Sequence, residues 1–198
     1  SPETAAQIGA IIEAAGAAYI DGGIVGNPPG AAVPTRFFVS GSGAEEMNIF
    51  DGKGVDIKQC GPEAGKASAI KMCYAGITKG TSALHAAMLM AAEKLDIADD
   101  LHDELTYSQG AMYKRMEVLT SALPAVSDRY IGEMEEIAKT MSAIGIPSGF
   151  HDGSADLYGL MTKSLYASEI RETVDKNRTM RQTIEGCAVV VGNKAAAE

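Results

Sequence analysis

Tryptophan is absent from this 198-residue sequence, and all aromatic residues together make up only 6% of it. A core so poor in large rings is filled by smaller and more flexible side chains; 22 glycines, ten methionines and abundant alanine favour closely packed helices. Cysteine is scarce as well. Cys60, Cys73 and Cys187 are an odd number without metal-ligand spacing, which argues against a disulfide framework and for reduced thiols. Positive charge is short: 17 lysines and arginines face 26 acids, for a net charge of -9. Such a surface has no basic stripe to displace counterions from phosphate, so it excludes nucleic acid and an anionic membrane as partners. No segment has the apolar length of a membrane span, and no basic region followed by an apolar run opens the chain. These absences predict a soluble, cytoplasmic protein.

What is present falls into two parts. Ser1, Pro2 and Glu3 read as a helix start, with a capping hydroxyl, a proline in the first turn and an acid beside it. The helix runs through AAQIGAIIEAA to Gly16. AAYIDGGIVG, TRFFVSG and VDIKQCG read as strands, with a short helix over GAEEMNIF. From Pro62 onward the pattern is helical, opening with a single long helix of about 34 residues, PEAGKASAIKMCYAGITKGTSALHAAMLMAAEKL. Further helices are expected over 105–119, 126–144, 155–168 and 170–186, with Pro124 and GIPSG as punctuation. The composition shift places a boundary between residues 60 and 61. Three strands with so few helices leave an open sheet edge and a half-covered face, so the first part is expected to need residues from upstream.

Few motifs carry chemistry. GSGAEE at 41–46 has the position of a dinucleotide-binding turn, but Glu45 and Glu46 would put two negative charges where a pyrophosphate must sit, so a plain turn is expected. IDGGIVGNPPG at 20–30 is a rigid loop that serves either as a ligand loop or as a tight turn capped by Asp21. Lys71 stands among small apolar residues, and on a helix it shares a stripe with Thr78 and Ser82. A lysine crowded there loses hydration and becomes suited to general acid–base work; the alternative is an amine that snorkels to solvent. GEMEEIAK at 132–139 reads as a solvated helical face with a Glu135–Lys139 ion pair. His85, His102 and His151 are scattered, with no metal-ligand spacing and no nucleophile signature around them, and the methionines of MLMAAEKL read as core.

KMCYAGITKG at 71–80 resembles the 6-phosphogluconate dehydrogenase motif KMVHNGIEYG, with lysine, methionine, glycine, isoleucine and the final glycine in register. IDGGIVGNPPG resembles the DAPVSGG loop of the β-hydroxyacid dehydrogenase superfamily, which includes 3-hydroxyisobutyrate dehydrogenase, and FFVSGSGAEEM its following strand and turn. DRYIGEMEEIAKTMSAIGIP is similar to a branch with a phosphogluconate-dehydrogenase-like C-terminal domain. The likeness covers nearly the whole chain.

The resemblance implies a mainly α fold: an all-helical 6-phosphogluconate-dehydrogenase-like C-terminal domain over 61–198, entered by a long interdomain helix. Over 1–60 it implies the last part of a small Rossmann-type α/β domain. Most of the N-terminal NAD(P)-binding domain would be absent, so NAD or NADP would be bound mainly by residues not in this chain, and the fragment alone would be inactive. By the same resemblance the helical domain forms a homodimer, and Lys71 accepts the hydroxyl proton of a small hydroxy acid or related alcohol. Gly22, Gly23, Asn27, Tyr74 and Thr78 are the implied substrate contacts. Departures from the family pattern are specific. Ala75 stands where the family has asparagine, Thr78 where 6-phosphogluconate dehydrogenase has its acid, Val25 where DAPVSGG has serine, and Gly132 where the later KDL motif has lysine. Thr78 argues against oxidative decarboxylation of a sugar phosphate, because a hydroxyl does not readily supply a proton near neutral pH. Two other readings stand beside the dehydrogenase: a non-catalytic helical dimerisation module and a related imine reductase.

Overall fold

The computed structural model describes residues 1–26 and 33–192. Helix α1 (Pro2–Ala14) begins as the sequence predicts: the Ser1 hydroxyl accepts from the Thr4 amide, and Pro2 opens the first turn. Strands β1 (Asp21–Val25), β2 (Thr35–Ser40) and β3 (Val55–Gln59) form one sheet in the order β1-β2-β3. β1 runs antiparallel to β2, Asp21 opposite Ser40, and β2 runs parallel to β3. The short helix expected between β2 and β3 is a 3-10 helix, Ala44–Phe50. Val39, Ala44 and Ile57 form the apolar centre of this part, with Phe37, Met47 and Val55 packed around them.

Helices α2 (Lys66–Lys94), α3 (Ala98–Ser108), α4 (Gly110–Thr120), α5 (Pro124–Ala143), α6 (Gly149–Met161) and α7 (Met180–Ala188) follow. The mainly α class with a small α/β portion is therefore the observed one. The chain divides into two compact units, Ser1–Ile77 with Glu136–Ser148, and Thr78–Glu135 with Gly149–Glu198. The expected boundary at 60–61 falls inside the first of these, at the turn that leads into α2.

Four helix expectations need correction. The long helix starts at Lys66 rather than at Pro62, because Gly65 takes a left-handed φ of +95° and breaks the approach. It ends where Asp96 turns at a φ of +57°. The helix expected over 105–119 is two helices. Gln109 leaves helical geometry at φ -134°, its amide closing α3 on Leu105 and its carbonyl opening α4 to Tyr113. The helices expected over 155–168 and 170–186 give way to α6, a run of turns and α7. A capping box between Thr179 and Gln182 delays the start of α7 to Met180.

The turns between α6 and α7 hang on Arg178, which is buried. Its guanidinium donates twice to the Glu169 carboxylate, once to the Ser121 carbonyl and once to the Thr183 hydroxyl, and it stacks 3.8 Å from the centre of the Tyr166 ring. Gly186 makes room for that ring, since a Cβ there would lie 2.3 Å from it. The ion pairs of α5 also differ from expectation: Glu133 engages Lys79 and Arg129, and Glu136 engages the Ser1 amino group, in place of a Glu135–Lys139 pair.

Candidate functional site

In the first unit, β1 buries alternate residues, Asp21, Gly23 and Val25, as a strand with one covered face must. Asp21 is only 4% exposed and its carboxylate is fully used. Oδ2 accepts from the Ser40 hydroxyl and from the amides of Gly65 and Ser68, each at 3.0 Å, and Oδ1 accepts from the Ser68 hydroxyl at 2.6 Å. The Ser40 hydroxyl oxygen in turn accepts from the Ala67 amide. Asp21 therefore caps the start of α2, forty-four and more residues away in sequence, rather than its own turn.

Two residues further along β1, Gly23 touches the same helix. A Cβ on it would lie 2.7 Å from the Ala67 carbonyl oxygen and 3.3 Å from the Lys71 Cβ, so only glycine lets the strand come this close. Gly23 and Lys71, both singled out in the sequence, are thus neighbours. Gly22 points to the other face, where a Cβ would meet the Phe37 ring at 3.0 Å. Its place is a packing contact within the sheet.

Lys71 itself is exposed, as is Tyr74 one turn on. The crowded, enclosed setting expected for the lysine is therefore not the observed one. Thr78 is half-buried in the second unit, and its carbonyl accepts from the Ser82 hydroxyl, so Ser82 bonds back to its own helix. Asn27 lies outside the described residues. Val25 and Ala75, which replace polar residues of the family pattern, are both buried as packing residues. Gly132 is exposed.

The GSGAEE segment is a turn with structural work to do. Gly41 has a φ of +106°, and a Cβ there would lie 2.5 Å from the Tyr19 carbonyl oxygen; Ser42 accepts from the Tyr19 amide. Glu45 and Glu46 occupy the first turn of the 3-10 helix, where they would repel a pyrophosphate. These residues do not fit a dinucleotide phosphate.

The second unit holds a cavity of roughly 360 Å³ between the later part of α2 and helices α3, α4 and α7. Its walls are apolar at Leu89, Met180 and Ile184 and polar at His102 and Tyr113, whose ring nitrogen and hydroxyl lie 2.7 Å apart. Arg181 at its rim is engaged by Asp99 and Glu185. None of the residues proposed from the sequence as catalytic or substrate-binding lines it. Among the described residues, no group of three acids, histidines or cysteines could hold a metal ion, and no helix is long and apolar enough to cross a membrane.

What the sequence reading missed is the reach of Asp21. The available signal was the lack of a cap: Ala64 and Gly65 precede α2, so its first amides had to find an acceptor elsewhere.

Comparison with known proteins bears on the whole chain. Residues 92–161 match a family model described as a domain of unknown function (DUF1932). Conserved protein MTH1747, a solved structure of unknown function with structural similarity to 3-hydroxyacid dehydrogenases, is 30% identical at a TM-score of 0.66, over 82% of this chain and 62% of that one. A conserved hypothetical protein from Sinorhizobium meliloti 1021 is 20% identical at a TM-score of 0.74, over 96% of this chain and 64% of its own. 3-Hydroxyisobutyrate dehydrogenase (ygbJ) from Salmonella typhimurium is 17% identical at a TM-score of 0.54, over 93% and 66%. At their identities the last two speak to fold alone. The chain spans less than two thirds of the length of each of these structures. No curated protein matches the sequence. The chain thus shares the fold of 3-hydroxyacid dehydrogenase-like proteins over most of its length and carries the matched domain at residues 92–161.

Proposed function

We propose that this chain is part of an NAD(P)-dependent oxidoreductase that oxidises a small hydroxy acid or related alcohol. Oxidation of such a substrate removes a proton from the hydroxyl and a hydride from the carbon that bears it. Lys71 takes the proton, and the hydride acceptor is held mainly by residues not in this chain, because the glycine turn at 41–46 is acidic. The observation that supports this reading is the junction of β1 with α2. There Gly23, from the loop that resembles DAPVSGG, lies beside Lys71, from the helix that resembles KMVHNG, so that a Cβ at position 23 would sit 3.3 Å from the Lys71 Cβ. The Lys71 side chain is exposed, and substrate closing over its amine would supply the desolvation that favours proton transfer.

The replacement of family asparagine by Ala75 and of serine by Val25 narrows the substrate. Both positions are packed and apolar, so neither offers a hydrogen bond to a carboxylate. Tyr74, Thr78 and Asn27 are the residues assigned to that contact. The same two replacements are what favour the second reading, a helical dimerisation module without catalysis.

One substitution separates the two. In the complete polypeptide, Lys71→Ala is expected to lower turnover by about two to four orders of magnitude, the range of a lost general base, with the melting temperature unchanged. Turnover equal to that of the parent protein would remove Lys71 from the mechanism, whereas a complete parent polypeptide without any turnover would leave the dimerisation reading.

A further inference from the structure

Helix α2 begins without a cap of its own. The residues before it, Ala64 and Gly65, have no side-chain acceptor, and Gly65 is held at a left-handed φ where a Cβ would strike the Pro2 carbonyl oxygen at 2.7 Å. A helix start leaves several amides unpaired, and a serine or aspartate at the preceding position would have satisfied them locally. Instead the acceptors come from two neighbouring strands. Asp21 and Ser40 face each other across the β1–β2 ladder, and together they take the amides of Gly65, Ala67 and Ser68 and the hydroxyl of Ser68.

A distant cap differs from a local one in what it fixes. A local serine would hold only the helix end; a carboxylate on β1 also fixes the helix against the strand. Asp21 and Gly23 lie on the same face of β1, two residues apart, and the first grips the α2 start while the second touches Ala67 and Lys71. The strand and helix are thereby joined at two points. Ser68 and Lys71 are three residues apart, so the anchor sits about 4.5 Å along the helix axis from the lysine, less than one turn. A buried carboxylate is costly unless every lone pair is used, and its best-attested benefit is to specify one register among several.

We propose that Asp21 is a positioning residue for Lys71: through the start of α2 it sets the depth and rotation at which the lysine meets Gly23. The inference rests on the reading of Lys71 as the proton-transfer residue, but its test does not require activity.

The test uses the protein with its lysine amines reductively methylated with ¹³C-formaldehyde, so that each gives a dimethylamine signal; Lys71→Arg assigns the signal of interest. Asp21→Asn keeps the shape but turns one acceptor into a donor. Two results are expected together. Amides 66–71 exchange with solvent roughly tenfold faster, as for a lost helix cap. The Lys71 resonance and its titration curve also shift, while those of Lys94 stay in place. Faster exchange with an unmoved Lys71 signal and titration curve would make Asp21 a cap only and overturn the proposal. Unchanged exchange would overturn it as well. If Asp21→Asn does not fold, Ser40→Ala keeps the carboxylate but cuts its link to the Ala67 amide, and must move the same two readouts by a smaller amount. The two readings fail separately: normal turnover in Lys71→Ala with a displaced Lys71 signal in Asp21→Asn leaves positioning intact and removes the proton-transfer role.

Discussion

Lys71 leaves α2 beside a glycine, and that neighbour decides how the amine is used. A larger residue at position 23 would push the strand away from the helix, whereas Gly23 lets the two approach closely. His85, later on α2, shows the opposite case of a titratable group that the fold partly encloses. Burial, and secondly the Arg115 guanidinium, hold its pKa below the ordinary histidine value of 6.5. The sign follows from proton counting. Between the lowered native value and 6.5 the unfolded chain binds more protons than the folded one, so stability rises with pH. The contribution is complete above 6.5 and is lost as pH falls through the lowered native value. Replacing His85 with Gln is therefore expected to reduce the drop in melting temperature between about pH 7.5 and 5.5 relative to the parent. A drop of the same size in both proteins would show that His85 does not carry it.

Among the elements, the segment between α6 and α7 depends on a single side chain. Arg178 ties Glu169, Ser121, Thr183 and Tyr166 together where no regular ladder of hydrogen bonds exists. Arg178→Met would leave Glu169 as an unpaired, mostly buried carboxylate, at a cost of roughly 3 kcal/mol. The double variant Arg178→Met, Glu169→Leu should recover a large part of that loss. Urea unfolding followed by exchange protection of α7 measures both, and equal stability of the single variant and the parent would contradict this role. The same residue explains what the sequence could not reveal. Residues 170–179 are compatible with a helix in periodicity, and only a contact with Ser121, which lies 57 residues before Arg178, overrides that preference. The strands, by contrast, were legible because their alternation and glycine punctuation are local signals. So was the existence of α2, although its start was not, since Gly65 breaks the helix by a backbone angle that the pattern does not encode. At the site the lysine and the glycine pair were legible from resemblance, whereas the exposure of Lys71 and the long reach of Asp21 are properties of packing.

Taken whole, the chain has a 3-hydroxyacid dehydrogenase-like fold without a phosphate-binding turn among its described residues that would suit a dinucleotide. Titration calorimetry of the chain with NAD and with NADP is expected to give no saturable heat at micromolar concentrations. A micromolar dissociation constant for either would contradict the assignment of cofactor binding to residues outside this sequence. The turn at 41–46 is where the expectation is decided: its glycines serve a close backbone crossing at Tyr19, and its acids stand at the start of a helix.

The cap that α2 borrows from the sheet also sets an order of events during folding. Amides at 65 and 68 wait for a carboxylate 44 and 47 positions upstream, so the first turn of the longest helix cannot be secured until β1 and β2 have met and a loop of that length has closed. The later turns of α2 need no such rendezvous. The helix should therefore grow backward, from its middle toward the lysine, and the proposed chemistry becomes available only at the last stage of assembly.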